Sequence, residues 1–170
     1  QQAAWSPGVM SHYYVDPIQP FHTHQTEEEN VIHRAVEWSF NKSYLNFKQM
    51  NDLAGYPDVE MPGGPKWVSQ AVVNGANTSN PHYELIIEHY NLAKGVKDPP
   101  AGLDEELRNA IAPLIAYATV GLARILDRAF EEAAVKPPKT LTAPQALFLG
   151  MQMPIAAVLK GIDDAAARKE

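Results

Sequence analysis

The chain has 170 residues, with 20 acids against 14 bases and a formal net charge of −6. Its 45% apolar and 20% charged composition is that of a globular protein able to bury a core, and no run approaches the roughly 18 uninterrupted apolar residues of a membrane span. The acidic balance excludes a broad electrostatic grip on a polyanion, and the absence of cysteine excludes disulfides, thiolate metal sites and cysteine nucleophiles.

The opening QQAAWSPGVM carries neither the basic nor the apolar region of a signal peptide. Ser6-Pro7 reads as an N-cap with proline at the first helical position. The helix it opens is predicted to stop near Asp16, because the residue before Pro17 is pushed out of the helical region. Residues 17–25, PIQPFHTHQ, read as a proline-fixed loop. Thr26 to Glu29 form a capping box with acids in the first turn, predicting a helix to about Met50. On it His33, Glu37, Phe40, Tyr44 and Phe47 recur at three- and four-residue steps, a stripe expected to face inward.

Residues 51–65 are rich in Gly, Pro and Asp and read as a long loop. A short helix from Pro65 to about Asn74 follows, then the polar stretch NGANTSN, then a helix from Asn80-Pro81 to about Lys94 closed by Gly95. Residues 103–133 form a long Ala/Leu/Ile-rich helical stretch that Pro113 is expected to kink or divide. A last helix over 143–167 is expected to kink near Pro154 and to complete the core. No segment alternates with period two, so the expected class is all-α, a single domain over 1–170 with five to six helices.

Of six histidines, His12, His22, His24 and His33 fall within the first 33 residues. His12-x3-Asp16 and His33-x3-Glu37 each set two side chains about 6 Å apart on one helical face, a separation from which two groups can grip one ion. His22, in the loop between them, can close a site. Imidazole and carboxylate without thiolate suit zinc, and manganese and iron accept the same donors. Three protein ligands leave a position for a water that is nucleophilic near neutral pH. A carboxylate at Glu37 within an aromatic stripe argues for a cation, because a buried unpaired acid is costly. His24 reads as an outer or surface residue. His82 and His89, seven apart beside Tyr83 and Tyr90, read as packing or carbonyl-bonded residues. Tyr13, Tyr14, Tyr56, Trp67 and Tyr83 are the aromatics available to line a substrate site.

The string SHYYVDPIQPFHT at residues 11–23 resembles the H-x-x-x-D-x-x-x-P-h-H signature of the zinc-dependent phospholipase C and S1/P1 nuclease superfamily, and His33-Arg-Ala-Val-Glu37 stands where that family carries His-x3-Glu or His-x3-Asp. The resemblance covers residues 8–40 and is closer to the phospholipase branch, since the acid is Glu37. It implies an all-α fold and hydrolysis of a small-molecule or lipid phosphodiester, with a nucleic-acid substrate less favoured, in a secreted or periplasmic protein. It further implies that His22, His33 and Glu37 hold one zinc, that His12 binds a second, and that Asp16 bridges metals and orients the nucleophilic water. The ligands that members draw from an upstream half have no counterpart here. The chain is therefore expected to be the C-terminal part of a longer enzyme, with an upstream fragment or second chain supplying the rest, or else a relative working with fewer metals. Two other expectations stand beside this one: a non-catalytic helical protein with one structural zinc closed by a fourth ligand such as His24, and a mononuclear metal hydrolase acting on another ester.

Overall fold

The first helix, α1 (Gln2–Val15), ends one residue before Asp16-Pro17, as the steric demand of proline requires. It begins ahead of Ser6-Pro7, so that pair lies inside the helix instead of starting it. The computed structural model describes residues 2–134, which form one compact unit. The predicted helix at 143–167 and the extent of the domain to residue 170 lie outside the described residues.

The proline-fixed loop is built as two single 3-10 turns, Asp16–Ile18 and Pro20–His22, each with proline at its second or first position. Two contacts at Ile18 pin this segment to the core, and a third, at Tyr14, holds the end of α1 just before it. Tyr14 lies over Gly121, which has no side chain to displace its ring. Ile18 is buried against Gly75, where a Cβ would stand 2.8 Å from Ile18 Cγ1. Ser79 Oγ–H donates to the Ile18 carbonyl at 2.6 Å.

Thr26 caps α2 (Glu27–Lys42), its hydroxyl oxygen accepting from the Glu29 N–H at 3.2 Å. A turn at Ser43 then separates α2 from α3 (Tyr44–Ala54), which Gly55 ends at φ 89°. The single helix predicted to Met50 is thus two, and the break resets the helical phase. Phe47 is fully buried and Phe40 half-buried, but Tyr44 is 53% exposed and the Glu37 side chain 45% exposed. The stripe does not face inward along its whole length.

Helix α4 (Trp67–Ser79) runs through the polar NGANTSN stretch. Its Gly75 and Ser79 are the residues that meet Ile18, so their small or polar character serves tertiary contact. The helix predicted from Asn80 divides at Tyr90, giving α5 (Tyr83–His89) and the one-turn α6 (Leu92–Gly95). Tyr90 leaves helical geometry, and its buried hydroxyl pairs with Ser39 Oγ of α2 at 2.9 Å. Helix α7 (Glu105–Glu132) stays one helix through Pro113. It is the one described helix long and apolar enough to cross a membrane by length and composition; in this fold it is the core helix, burying Leu107, Ile111, Leu114 and Ile125. The architecture is all-α, and no strand occurs among the described residues.

Candidate metal centre

Helix α2 supplies three residues spaced four apart, Glu29, His33 and Glu37, which the 3.6-residue period stacks on one face. Glu29 sits in the first turn and is 2% exposed. A capping box would turn its carboxylate back to the Thr26 backbone N–H. The carboxylate instead meets His33 Nδ1, the ring nitrogen that must therefore carry the proton. The opposite nitrogen, His33 Nε2, lies 3.3 Å from Glu37 Oε1.

The two 3-10 turns bring His22 to the same place. Its Nδ1 lies 2.9 Å from Asp16 Oδ1 and 3.0 Å from the Asp16 carbonyl. Both are acceptors, so Nδ1–H donates to them and Nε2 is left with its lone pair. That Nε2 stands 3.4 Å from Glu37 Oε1. The His22 and His33 rings are 5.3 Å apart, and Phe21, packed on Tyr83, supports the His33 ring at 5.4 Å. Tyr83 O–H donates to Thr26 Oγ1 at 3.1 Å and Asn80 Nδ2 donates to Thr23 Oγ1 at 3.0 Å, fixing the loop between His22 and α2.

Three lone-pair donors thus converge: Nε2 of His22, Nε2 of His33 and an oxygen of Glu37, all within 4.8 Å of one another. No hydrogen remains between either Nε2 and the carboxylate when both imidazoles are neutral, and a cation there would satisfy all three donors. The spacing can be tested against a metal. With zinc bonds of about 2.1 Å at the tetrahedral angle, neighbouring donors stand roughly 3.3–3.4 Å apart. The two nitrogen–oxygen separations, 3.3 and 3.4 Å, match that spacing, and all three donor atoms lie within 4.8 Å of one another. Each imidazole also has its far nitrogen held by a carboxylate, the outer arrangement that orients histidine ligands and raises their basicity. The group can hold a metal ion.

The structure places the five predicted residues unequally. His22, His33 and Glu37 form the donor group, and Asp16 stands behind His22 with its carboxylate on Nδ1. His12 is exposed on α1, its ring edge-on to Tyr13 at 5.7 Å, and belongs to no three-donor group among the described residues. His24, the residue able to close the site, packs edge-on against Tyr83 at 5.2 Å and is not in the group. The buried carboxylate is Glu29, not Glu37, which lies at the solvent rim. Glu29 went unread in sequence because it also fills the capping-box position; its place four residues before His33 was the available signal.

Elsewhere, His89 pairs with carboxylates instead of a carbonyl: its Nδ1 is 2.8 Å from Asp104 Oδ2 and its Nε2 3.7 Å from Glu106. The Asp104 hydrogen bond is the largest cause raising the His89 pKa above its ordinary 6.5. Of the aromatics considered for a substrate site, Tyr14, Trp67 and Tyr83 are core residues, while Tyr13 and Tyr56 are exposed. Compared with protein-family models, curated proteins and solved structures, the chain gives no significant match.

Proposed function

We propose that the chain is a zinc-dependent hydrolase with a three-ligand site at His22, His33 and Glu37, acting on a phosphoric ester. The observation that carries this reading is the convergence of two Nε2 atoms on one Glu37 oxygen at 3.3 and 3.4 Å. Zinc held there supplies Lewis acidity toward an ester oxygen and brings the pKa of a coordinated water toward neutrality. The residues do the rest. Asp16 and Glu29 hold the two rings with Nε2 forward, and Glu37, at the rim, leaves the site open to solvent and substrate. A zinc ion held by these three donors would keep a fourth position for water or substrate, the feature that separates catalytic from structural zinc.

The choice of phosphodiester rests on the H-x-x-x-D-x-x-x-P-h-H string and the His-x3-Glu that follows it. A second reading, a mononuclear hydrolase of carboxylic esters, is favoured by charge: Asp16, Glu29 and Glu37 outweigh a single divalent ion, so an anionic substrate meets no net positive field. Metal-stripped protein reloaded with one equivalent of zinc and assayed on bis(p-nitrophenyl) phosphate and on p-nitrophenyl acetate separates the two. Zinc-dependent hydrolysis of the phosphodiester, lost in His33→Ala, is the expected result. Cleavage of the acetate alone moves the assignment to the second reading, and no zinc-dependent cleavage of either ester removes the hydrolase.

A further inference from the structure

Glu29 is the most deeply buried carboxylate of the site, its side chain 3% exposed, and among the described residues the His33 imidazole is its side-chain partner. Two roles compete for it. Position N3 after Thr26 calls for a reciprocal bond to the helix start, yet the carboxylate forgoes that bond and turns toward His33. An ionised carboxylate buried against a neutral imidazole is poorly compensated. Positive charge on the far side of the ring supplies the compensation, and the far side is where Nε2 faces Glu37 Oε1.

We infer that Glu29 is a positioning residue for the metal centre: it fixes His33 in the Nδ1–H tautomer and directs Nε2 at the ion, so that burial of its charge is coupled to metal occupancy. The inference rests on the reading of His22, His33 and Glu37 as metal ligands and extends it to a residue that touches neither metal nor substrate. It also orders the two outer carboxylates. Asp16, with a side chain 40% exposed, is screened by water and shares His22 Nδ1 with its own carbonyl, whereas Glu29 acts on His33 alone from a dry site.

The test compares zinc affinity, by competition with a chromophoric chelator, and thermal midpoint without metal, in the full chain. Glu29→Gln keeps an acceptor for Nδ1–H but removes the charge, and is expected to weaken zinc binding about tenfold; Glu29→Leu removes both and is expected to weaken it toward 100-fold, the range seen when an outer partner of a ligand is lost. Without metal, neither is expected to lower the midpoint as much as Asp104→Ala, which removes the N-cap bond from the Leu107 N–H at the start of α7 and is expected to bind zinc as wild type does. Nitrogen NMR of the imidazoles in the metal-free chain gives a second readout independent of affinity, with His33 held in the Nδ1–H tautomer in wild type and released in Glu29→Leu. Wild-type zinc affinity in both Glu29 variants, or a His33 tautomer unchanged by Glu29→Leu, overturns the inference while leaving the three-ligand site standing. Wild-type protein that does not bind zinc overturns the site itself.

Discussion

Three histidines among the described residues sit between two acids, and the settings differ: His22 and His33 share one of their acids, Glu37, whereas His89 shares neither of its own. His33 has Glu29 on Nδ1 and Glu37 on Nε2; His89 has Asp104 on Nδ1 and Glu106 on Nε2. At His89 the arrangement ends in an ion pair. Asp104 is also the N-cap of α7, its Oδ1 accepting from the Leu107 N–H at 2.9 Å, so the imidazole ties the end of α5 to a helix start. At His33 a second imidazole, His22, is aimed at the same Glu37 oxygen. One imidazole among acids is satisfied by a proton. Two converging Nε2 atoms with both Nδ1 positions already engaged by carboxylates can hold a metal ion.

The largest break in that comparison comes from removing a ligand. His33→Ala or His22→Ala is expected to weaken zinc binding by more than about 100-fold, exceeding the loss from an outer partner, while His89→Ala leaves it unchanged; chelator competition reads both. Removing the exposed outer carboxylate is milder: Asp16→Ala is expected to weaken zinc binding about tenfold by the same measurement, at the low end of outer-partner effects. Asp104→Ala acts on stability alone. Loss of the α7 cap is expected to cost about 1 kcal/mol in denaturant unfolding, with zinc affinity untouched.

The smallest effect is on pH dependence. The His89 pKa is raised, first by the Asp104 hydrogen bond, so its contribution is fully present below the ordinary value of 6.5 and is lost as pH rises through the folded-state value. The Asp104 pKa is lowered from 3.8, first by the Leu107 backbone N–H, so its contribution is present above that value and lost as pH falls through the folded-state value. Unfolding measured across pH in the metal-free chain is therefore expected to show an alkaline decline that is reduced in His89→Gln. A decline of equal size in that variant would assign it to other groups.

The all-α class was legible because its signals are local. Thr26 with three following acids marks the start of α2, Pro17 stops α1, and the apolar pattern of 103–133 marks α7, which Pro113 was expected to kink or divide and does not divide. The divisions at Ser43 and Tyr90 have no such signal. Tyr90 leaves the helix with its hydroxyl paired to Ser39, a partner 51 residues away, and propensity carries no trace of it. The same logic divides the site. Residue type and spacing offered five candidates, and the resemblance over residues 8–40 grouped His22, His33 and Glu37 among them, whereas the outer roles of Asp16 and Glu29 depend on ring orientation. Glu29 was further masked by a cap motif it leaves half made, and the solvent position of Glu37 follows from packing that periodicity cannot rank.

Zinc K-edge X-ray absorption of the full chain loaded with one equivalent of zinc tests the central claim most directly. Convergence of His22, His33 and Glu37 predicts retained zinc with two imidazoles and a carboxylate oxygen at about 2.0–2.2 Å, the shell completed by solvent. Zinc that washes out of the wild-type chain, or a shell without imidazole scattering, would contradict it.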